Sequence, residues 1–221
     1  MKDFKCELIS WEDMYELSRV IAGKIREDKY RPDVIIAMAR GGYVPARNLC
    51  DLLIVKNLLS LKVDHWGITA NKEGKARIPY PLHADIKGKN VLLVDDLSDT
   101  GESFKVAVEY VKSLKPKTLK SACVYLLEGT KFVPSYYAAR RNWKWFVFPW
   151  NFNEDMVNLV SGLYEENSRD KKSLAMIQEE LDAKHGVYVR EEKLKPVLEE
   201  LAHRRILKPY LTRGLVRWMP W

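Results

Sequence analysis

The chain has 221 residues, 47% of them hydrophobic, enough for one domain of ordinary size plus an appendage of roughly 60 to 70 residues. Its net charge of +7 lies in residues 1–150, because residues 151–221 hold 12 basic and 12 acidic side chains, so the first two-thirds is the part expected to meet an anion. No run approaches the roughly 18 uncharged apolar residues of a membrane span, no signal-peptide core opens the chain, Cys6, Cys50 and Cys123 lack C-x-x-C spacing, and the four histidines are scattered, which excludes a zinc site and predicts a soluble cytoplasmic protein with buried thiols and no membrane partner.

Ser10 before "WEDMYELSRVIAGKI", with Asp13 three residues on, predicts a capped helix whose buried stripe is Met14, Leu17, Ile21 and Ile25. "DVIIAMA" (33–39) is a β-branched run stopped by "RGG", and "YVPARNLCDLL" after it reads as a helix with Pro45 in its first turn. "LLSLKV" (58–63) predicts the next strand. The stretch 64–85, with Lys72, Lys75 and Arg77, predicts a long loop of the kind that serves as a lid. "NVLLVDD", "LKSACVYLL" and "WKWFVFPW" supply three further strands, with the helix "FKVAVEYVKSL" between the first two. Strands alternating with helices predict an α/β fold, a mostly parallel five-stranded sheet flanked by helices over residues 1–152. From 153 to 221 apolar positions recur at helical spacing (Met156, Leu159, Leu163; Leu174, Ile177, Leu181; Leu194, Val197, Leu201), which predicts a three-helix appendage ending in a basic, aromatic-rich tail.

The chemistry concentrates in "VLLVDDLSDTGES" (91–103), where an apolar strand runs into Asp, Ser, Thr and Gly just before a helix. In open α/β sheets ligands bind beyond the carboxyl ends of the strands, and a helix N-terminus offers backbone N–H groups to an anion. Gly101 permits close backbone approach, and the Thr100 and Ser103 hydroxyls can donate to phosphate oxygens. Asp95 and Asp96 would repel a bare phosphate but suit vicinal hydroxyls or a magnesium ion. Hydroxyls beside a phosphate point to a ribose 5-phosphate.

This stretch resembles the phosphoribosyl pyrophosphate (PRPP) signature of type I phosphoribosyltransferases: hydrophobic residues, two acidic ones, then a D-T-G turn. "AMARGGYVPA" (37–46) resembles the pyrophosphate loop of the same family. The resemblance spans residues 10–152 and implies the type I phosphoribosyltransferase fold, PRPP and pyrophosphate as ligands, Mg2+ as cofactor and a homodimer. It implies that Asp95 and Asp96 hold the ribose hydroxyls, Asp96 also the metal, and that Ser98, Asp99, Thr100, Gly101, Glu102 and Ser103 form the 5-phosphate loop. Asp99 would double as catalytic base near N7 of a purine. Arg40, Gly41 and Gly42 would bind pyrophosphate across a cis peptide at Ala39–Arg40.

"FVFPWNF" (146–152) resembles the base loop of the 6-oxopurine enzymes, which implies that Trp150 stacks on the purine with Phe148 beside it. Where relatives of that type tend to carry a lysine that donates to the purine O6, this chain has Leu127 and Glu128. Leucine removes a donor-to-donor conflict with the adenine amino group, so the expected reaction is adenine plus PRPP giving AMP and pyrophosphate. Lys131, four residues on, keeps hypoxanthine and guanine as the alternative. A PRPP-sensing transcriptional regulator is the alternative from another class; the charge-balanced C-terminal helices and the intact "ARGG" speak against it, so no nucleic-acid partner is expected. An orotate transferase is disfavoured by the bulk of Trp150.

Overall fold

A computed structural model describes residues 4–63, 78–164, 170–212 and 214–221. Two compact units divide the chain: Trp11–Trp143, and Met1–Ser10 together with Lys144–Trp221.

The chain begins with strand β1 (Cys6–Leu8), which belongs to the second unit, and helix α1 (Trp11–Glu27). Met14, Ile21 and Ile25 of the expected stripe are buried, and so is Ser18, whose hydroxyl donates back to the Met14 carbonyl at 2.7 Å. There follow β2 (Val34–Ala39), α2 (Tyr43–Leu53), β3 (Leu58–Lys62), β4 (Asn90–Ser98), α3 (Glu102–Ser113), β5 (Thr118–Leu127) and β6 (Tyr136–Arg141). The five strands form one all-parallel sheet in the order β3-β2-β4-β5-β6. Helices cover it: α1 and α2 pack on each other and on the strands, while α3 buries Phe104, Ala107 and Val111 against Val34, Ile36, Leu93 and Cys123. A parallel sheet covered on both faces requires strands that are apolar throughout, which is why β2 and β4 read as continuous runs without alternation.

The sheet order places the site. The chain passes from β2 to the edge strand β3, then returns to the other side of β2 as β4, so the strand order reverses between β2 and β4. Their register, Ile36 beside Leu93 and Ala37 beside Val94, aligns the two carboxyl ends.

The fifth strand is not the one expected. β6 reads "YYAARR", an edge strand with Arg140 and Arg141 exposed, and it lacks the apolar run that marks a central strand. The segment expected in its place supplies β7 (Trp145–Val147), which pairs in parallel with β1.

The second unit adds α4 (Phe152–Gly162), β8 (Lys172–Ser173), α5 (Leu174–His185), α6 (Glu191–His203), β9 (Leu207–Thr212) and β10 (Leu215–Pro220). The three helices meet the expectation for the C-terminal part. The tail adds strands that the helical pattern did not predict: β9 and β10 form a hairpin, and β8 joins it to make an antiparallel sheet in the order β8-β10-β9. Leu159, Ile177, Leu181, Leu194, Leu198 and Leu201 form this unit's core together with Cys6 and Val147. Burial of those two side chains is the reason that residues 1–10 and 144–152, grouped with the sheet domain on sequence alone, associate with the C-terminal helices. The three cysteines are buried and free, and among the described residues no helix is long and apolar enough to cross a membrane.

Candidate active site

β4 carries four fully buried aliphatic residues, Val91 to Val94, and then two carboxylates, Asp95 and Asp96, just past the point where its pairing with β2 ends. The Asp96 backbone N–H donates to Asp95 Oδ1 at 2.9 Å. Burial, and then the Asp96 charge beside it, holds the Asp95 carboxyl well above the usual carboxylate range; burial pushes Asp96 up to about 6. Two partly desolvated acids side by side bind protons, hydroxyl donors or a cation more readily than isolated ones do.

The loop after β2 closes over this pair. The Ala39–Arg40 peptide is cis, as the family resemblance implies, and Arg40 is exposed. A Cβ on Gly41 would lie 2.1 Å from Asp96 Oδ2, and one on Gly42 would lie 2.3 Å from the Val94 carbonyl oxygen and 2.7 Å from that of Met38. A side chain at Gly42 would meet fixed backbone, whereas one at Gly41 would have to displace the Asp96 carboxylate. The glycines let the backbone of the loop rest on the carboxylates of the neighbouring strand.

Beyond Asp96 the chain turns into α3 around a cavity of about 310 Å³ lined by Leu97, Ser98, Asp99, Thr100, Gly101, Ser103 and Phe104. The helix N-terminus directs backbone N–H groups and the positive end of its dipole toward this space, which suits a phosphate. Asp99 and Thr100 are exposed at its rim. Glu102 turns its carboxylate to Lys105 Nζ at 2.8 Å, so its part in binding an anion falls to the backbone.

Ser98 departs from expectation. Its side chain is 1% exposed and its hydroxyl donates to the Phe132 carbonyl at 3.0 Å, with Thr130 Oγ1 at 3.1 Å. It ties the loop between β4 and α3 to the turn after β5 and turns its hydroxyl away from the cavity's opening. That turn escaped the sequence reading. Lys131 donates its backbone N–H to the Thr100 carbonyl at 3.1 Å, and Phe132 stacks on Phe104 with centroids 5.1 Å apart. Gly101 sits at φ +82°, and a Cβ there would lie 2.6 Å from Phe132 Cβ. Only the pairing of β4 with β5, Ser98 beside Leu126, discloses that the two turns are neighbours.

Leu127, expected beside the base, is 1% exposed at the end of β5 opposite Arg141. Its side chain belongs to the core. Phe148 and Trp150 lie in the other compact unit, on the turn from β7 into α4. Their rings stack at 4.9 Å with planes 5° apart, Phe148 buried and Trp150 half-buried, so the phenyl ring backs the indole. Lys72, Lys75 and Arg77 of the expected lid lie outside the described residues. Among the described residues no cluster of three or more His, Cys, Asp and Glu side chains could hold a metal ion on its own. The Asp95–Asp96 pair nonetheless fits magnesium, which typically takes one or two carboxylates and completes its shell with substrate oxygens and water.

A sequence profile of the phosphoribosyl transferase domain matches residues 7–160. The crystal structure of a purine phosphoribosyltransferase from Pyrococcus horikoshii Ot3 matches with a TM-score of 0.58 at 38% identity, over 66% of this chain and 93% of that one. A xanthine-guanine phosphoribosyltransferase of Ruegeria sp. (strain TM1040) is 28% identical over 164 residues, 70% of this chain and 90% of its own length. A hypoxanthine-guanine phosphoribosyltransferase of Aquifex aeolicus (strain VF5) is 32% identical over 125 residues, 54% of this chain and 68% of its own.

Proposed function

This chain belongs to the phosphoribosyltransferase family, and on that premise we propose that it joins a 6-oxopurine to PRPP, releasing pyrophosphate and giving the nucleoside 5′-monophosphate. Adenine, with AMP as product, is the base expected from Leu127, and it is corrected here. The curated relatives are named for xanthine, guanine and hypoxanthine, and Leu127, 1% exposed, offers no surface of its own to a base.

The observation that carries the proposal is the placement of the Asp95–Asp96 pair under Gly41, at the switch point of the sheet and just before the phosphate loop. In this reading the two carboxylates accept hydrogen bonds from the ribose hydroxyls, and the α3 N-terminus with Thr100 and Ser103 takes the 5-phosphate. Asp96 would hold Mg2+, which would supply positive charge to offset the negative charge of the pyrophosphate. A base nitrogen forms a bond to the anomeric carbon as the bond to pyrophosphate breaks, and positive charge develops on the ribose. Arg40 and the Gly41 and Gly42 amides offset the negative charge of the departing pyrophosphate. Asp99, at the cavity rim, accepts the proton that the purine loses. Lys131, anchored through its backbone on Thr100 and exposed, is the donor available to a 6-oxo group. Trp150, backed by Phe148, carries an aromatic face of the kind a purine stacks on.

Incubation of the purified protein with PRPP and magnesium and, separately, xanthine, guanine, hypoxanthine, adenine and orotate tests the reading. Nucleotide formed from the 6-oxopurines supports it. Preferential turnover of adenine or orotate, or no product with any base, overturns it.

A further inference from the structure

Residues 172–220 run strand, helix, helix, strand, strand, a helix-turn-helix pair followed by a β-hairpin, and they lie beyond the residue where the family match ends. In such units the second helix commonly enters a nucleic-acid groove. Here α6 exposes Glu191, Glu192 and Glu199 beside Lys193 and Lys195, the last paired with Glu191 at 2.6 Å, and contains Pro196, so its surface has no excess of cations to meet phosphates.

The small sheet has the opposite character. Leu207 is 1% exposed and Trp218 packs against the unit's core, which fixes the inward face of the hairpin. Side chains alternate along a strand, and directly paired residues share a face. Tyr210 pairs with Arg217 and Lys208 with Met219, so these four occupy the outward face. Lys171 Nζ lies 3.9 Å from the centroid of the Tyr210 ring, and Lys208 Nζ 5.8 Å from that of Trp221. The last nineteen residues contain five basic side chains and no acidic one. Among the described residues Lys171, Lys208 and Arg217 form no ion pair, and Asp170 beside them is engaged by Lys172 at 3.4 Å. Tyr210 is 41% and Trp221 63% exposed, and Leu215, on the same outward face as Tyr210, is 63% exposed. Exposed apolar side chains beside cations mark a binding surface.

We propose that the outward face of the β8-β10-β9 sheet binds single-stranded nucleic acid, with phosphates on Lys171, Lys208 and Arg217 and bases stacked on Tyr210 and Trp221. The ligand class follows from the chemistry. Unneutralised cations interleaved with exposed rings match a flexible polyanion whose base faces are open, whereas a duplex offers phosphates but no free base face.

The test uses the full chain, a fluorescein-labelled 20-nucleotide poly(dT) or poly(U) strand and a duplex of equal length, read by anisotropy at 50 mM salt. Binding of the single strands with an affinity that falls with salt at a log–log slope of about 2, as three phosphate contacts imply, is the expected result. Lys171→Glu/Lys208→Glu should weaken it at least tenfold and Tyr210→Ala at least fivefold, while the phosphoribosyl transfer rate stays at the parental value and reports that the protein is folded. Lys56→Glu/Lys117→Glu, which removes equal charge from exposed sites in the other unit, should change affinity less than twofold. No binding at 100 μM protein, equal loss in the two charge variants, or duplex preference unaffected by Tyr210→Ala overturns the proposal.

Discussion

Gly41 lies so close to Asp96 that a Cβ on the glycine would stand 2.1 Å from Oδ2 of the carboxylate. The loop after β2 and the acidic end of β4 are thus built as one surface. Gly41→Ala should leave a folded protein, because the Asp96 side chain can rotate away, but it should weaken PRPP binding by tenfold or more. Gly42→Ala meets backbone atoms that cannot turn aside, so it should lower stability by about 3 kcal/mol, roughly 6 to 12 °C in Tm for a chain of this size. Calorimetry beside PRPP titration separates the two, and equal behaviour of the variants would refute the distinction.

The acidic pair also sets a pH dependence. Asp96 is pushed up to about 6 by burial, above its unfolded value, so the folded state binds more protons than the unfolded state in the interval between them. The stabilising contribution of the protonated form is complete below the ordinary carboxylate range and is lost as pH rises through about 6. Asp96→Asn should therefore stabilise the ligand-free protein at pH 7 by about 1 to 2 kcal/mol, with no gain at pH 4, while abolishing Mg-dependent PRPP binding. In the parent, PRPP affinity should rise between pH 5 and 7. A Tm difference between variant and parent that does not change with pH would contradict this.

Asp99 stands at the rim of the phosphate cavity. As the proton acceptor, its change to Asn should reduce kcat by roughly 10² and leave PRPP affinity within about threefold of the parent. A full-rate Asp99→Asn enzyme would remove the role.

The Ser98 hydroxyl, bonded to the Phe132 carbonyl, holds the turn that carries Lys131 against the phosphate loop. Ser98→Ala removes one of two hydroxyl donors to the Phe132 carbonyl, the other being Thr130 at 3.2 Å, and should cost about 1 kcal/mol, with a higher KM for PRPP and for the base together. Lys131→Ala should raise KM for the 6-oxopurine alone. If Ser98→Ala raised neither constant, the tie between the turns would have no bearing on binding.

Leu127→Lys tests the corrected expectation. An ammonium at a site 1% exposed should destabilise the protein by about 3 kcal/mol or more. It should not alter the ratio of rates among the bases that remain substrates, and a stable variant with changed base preference would restore Leu127 to the base site.

Much of this protein is legible in one dimension. The β-branched runs at 34–39 and 91–94, each followed by glycines or acids and then a helix, determined two central strands and the loops at their carboxyl ends, because a strand buried on both faces must be apolar throughout and an anion site needs small residues before a helix. Which ligand each loop would take is implied only by the family resemblance of "SDTGES" and "ARGG". Tertiary structure decided what depends on partners distant in sequence. Ser98 and Gly101 belong to the turn at 130–132 because β4 pairs with β5, and Leu127 is core because β6, an edge strand without an apolar pattern, lies beside it. The final residues, basic and aromatic as a string, became a sheet with one cationic face only through the pairing of β10 with both β8 and β9. Alternation along a strand says that two faces exist; only the register, set by which side chains the neighbouring core buries, says which residues share one.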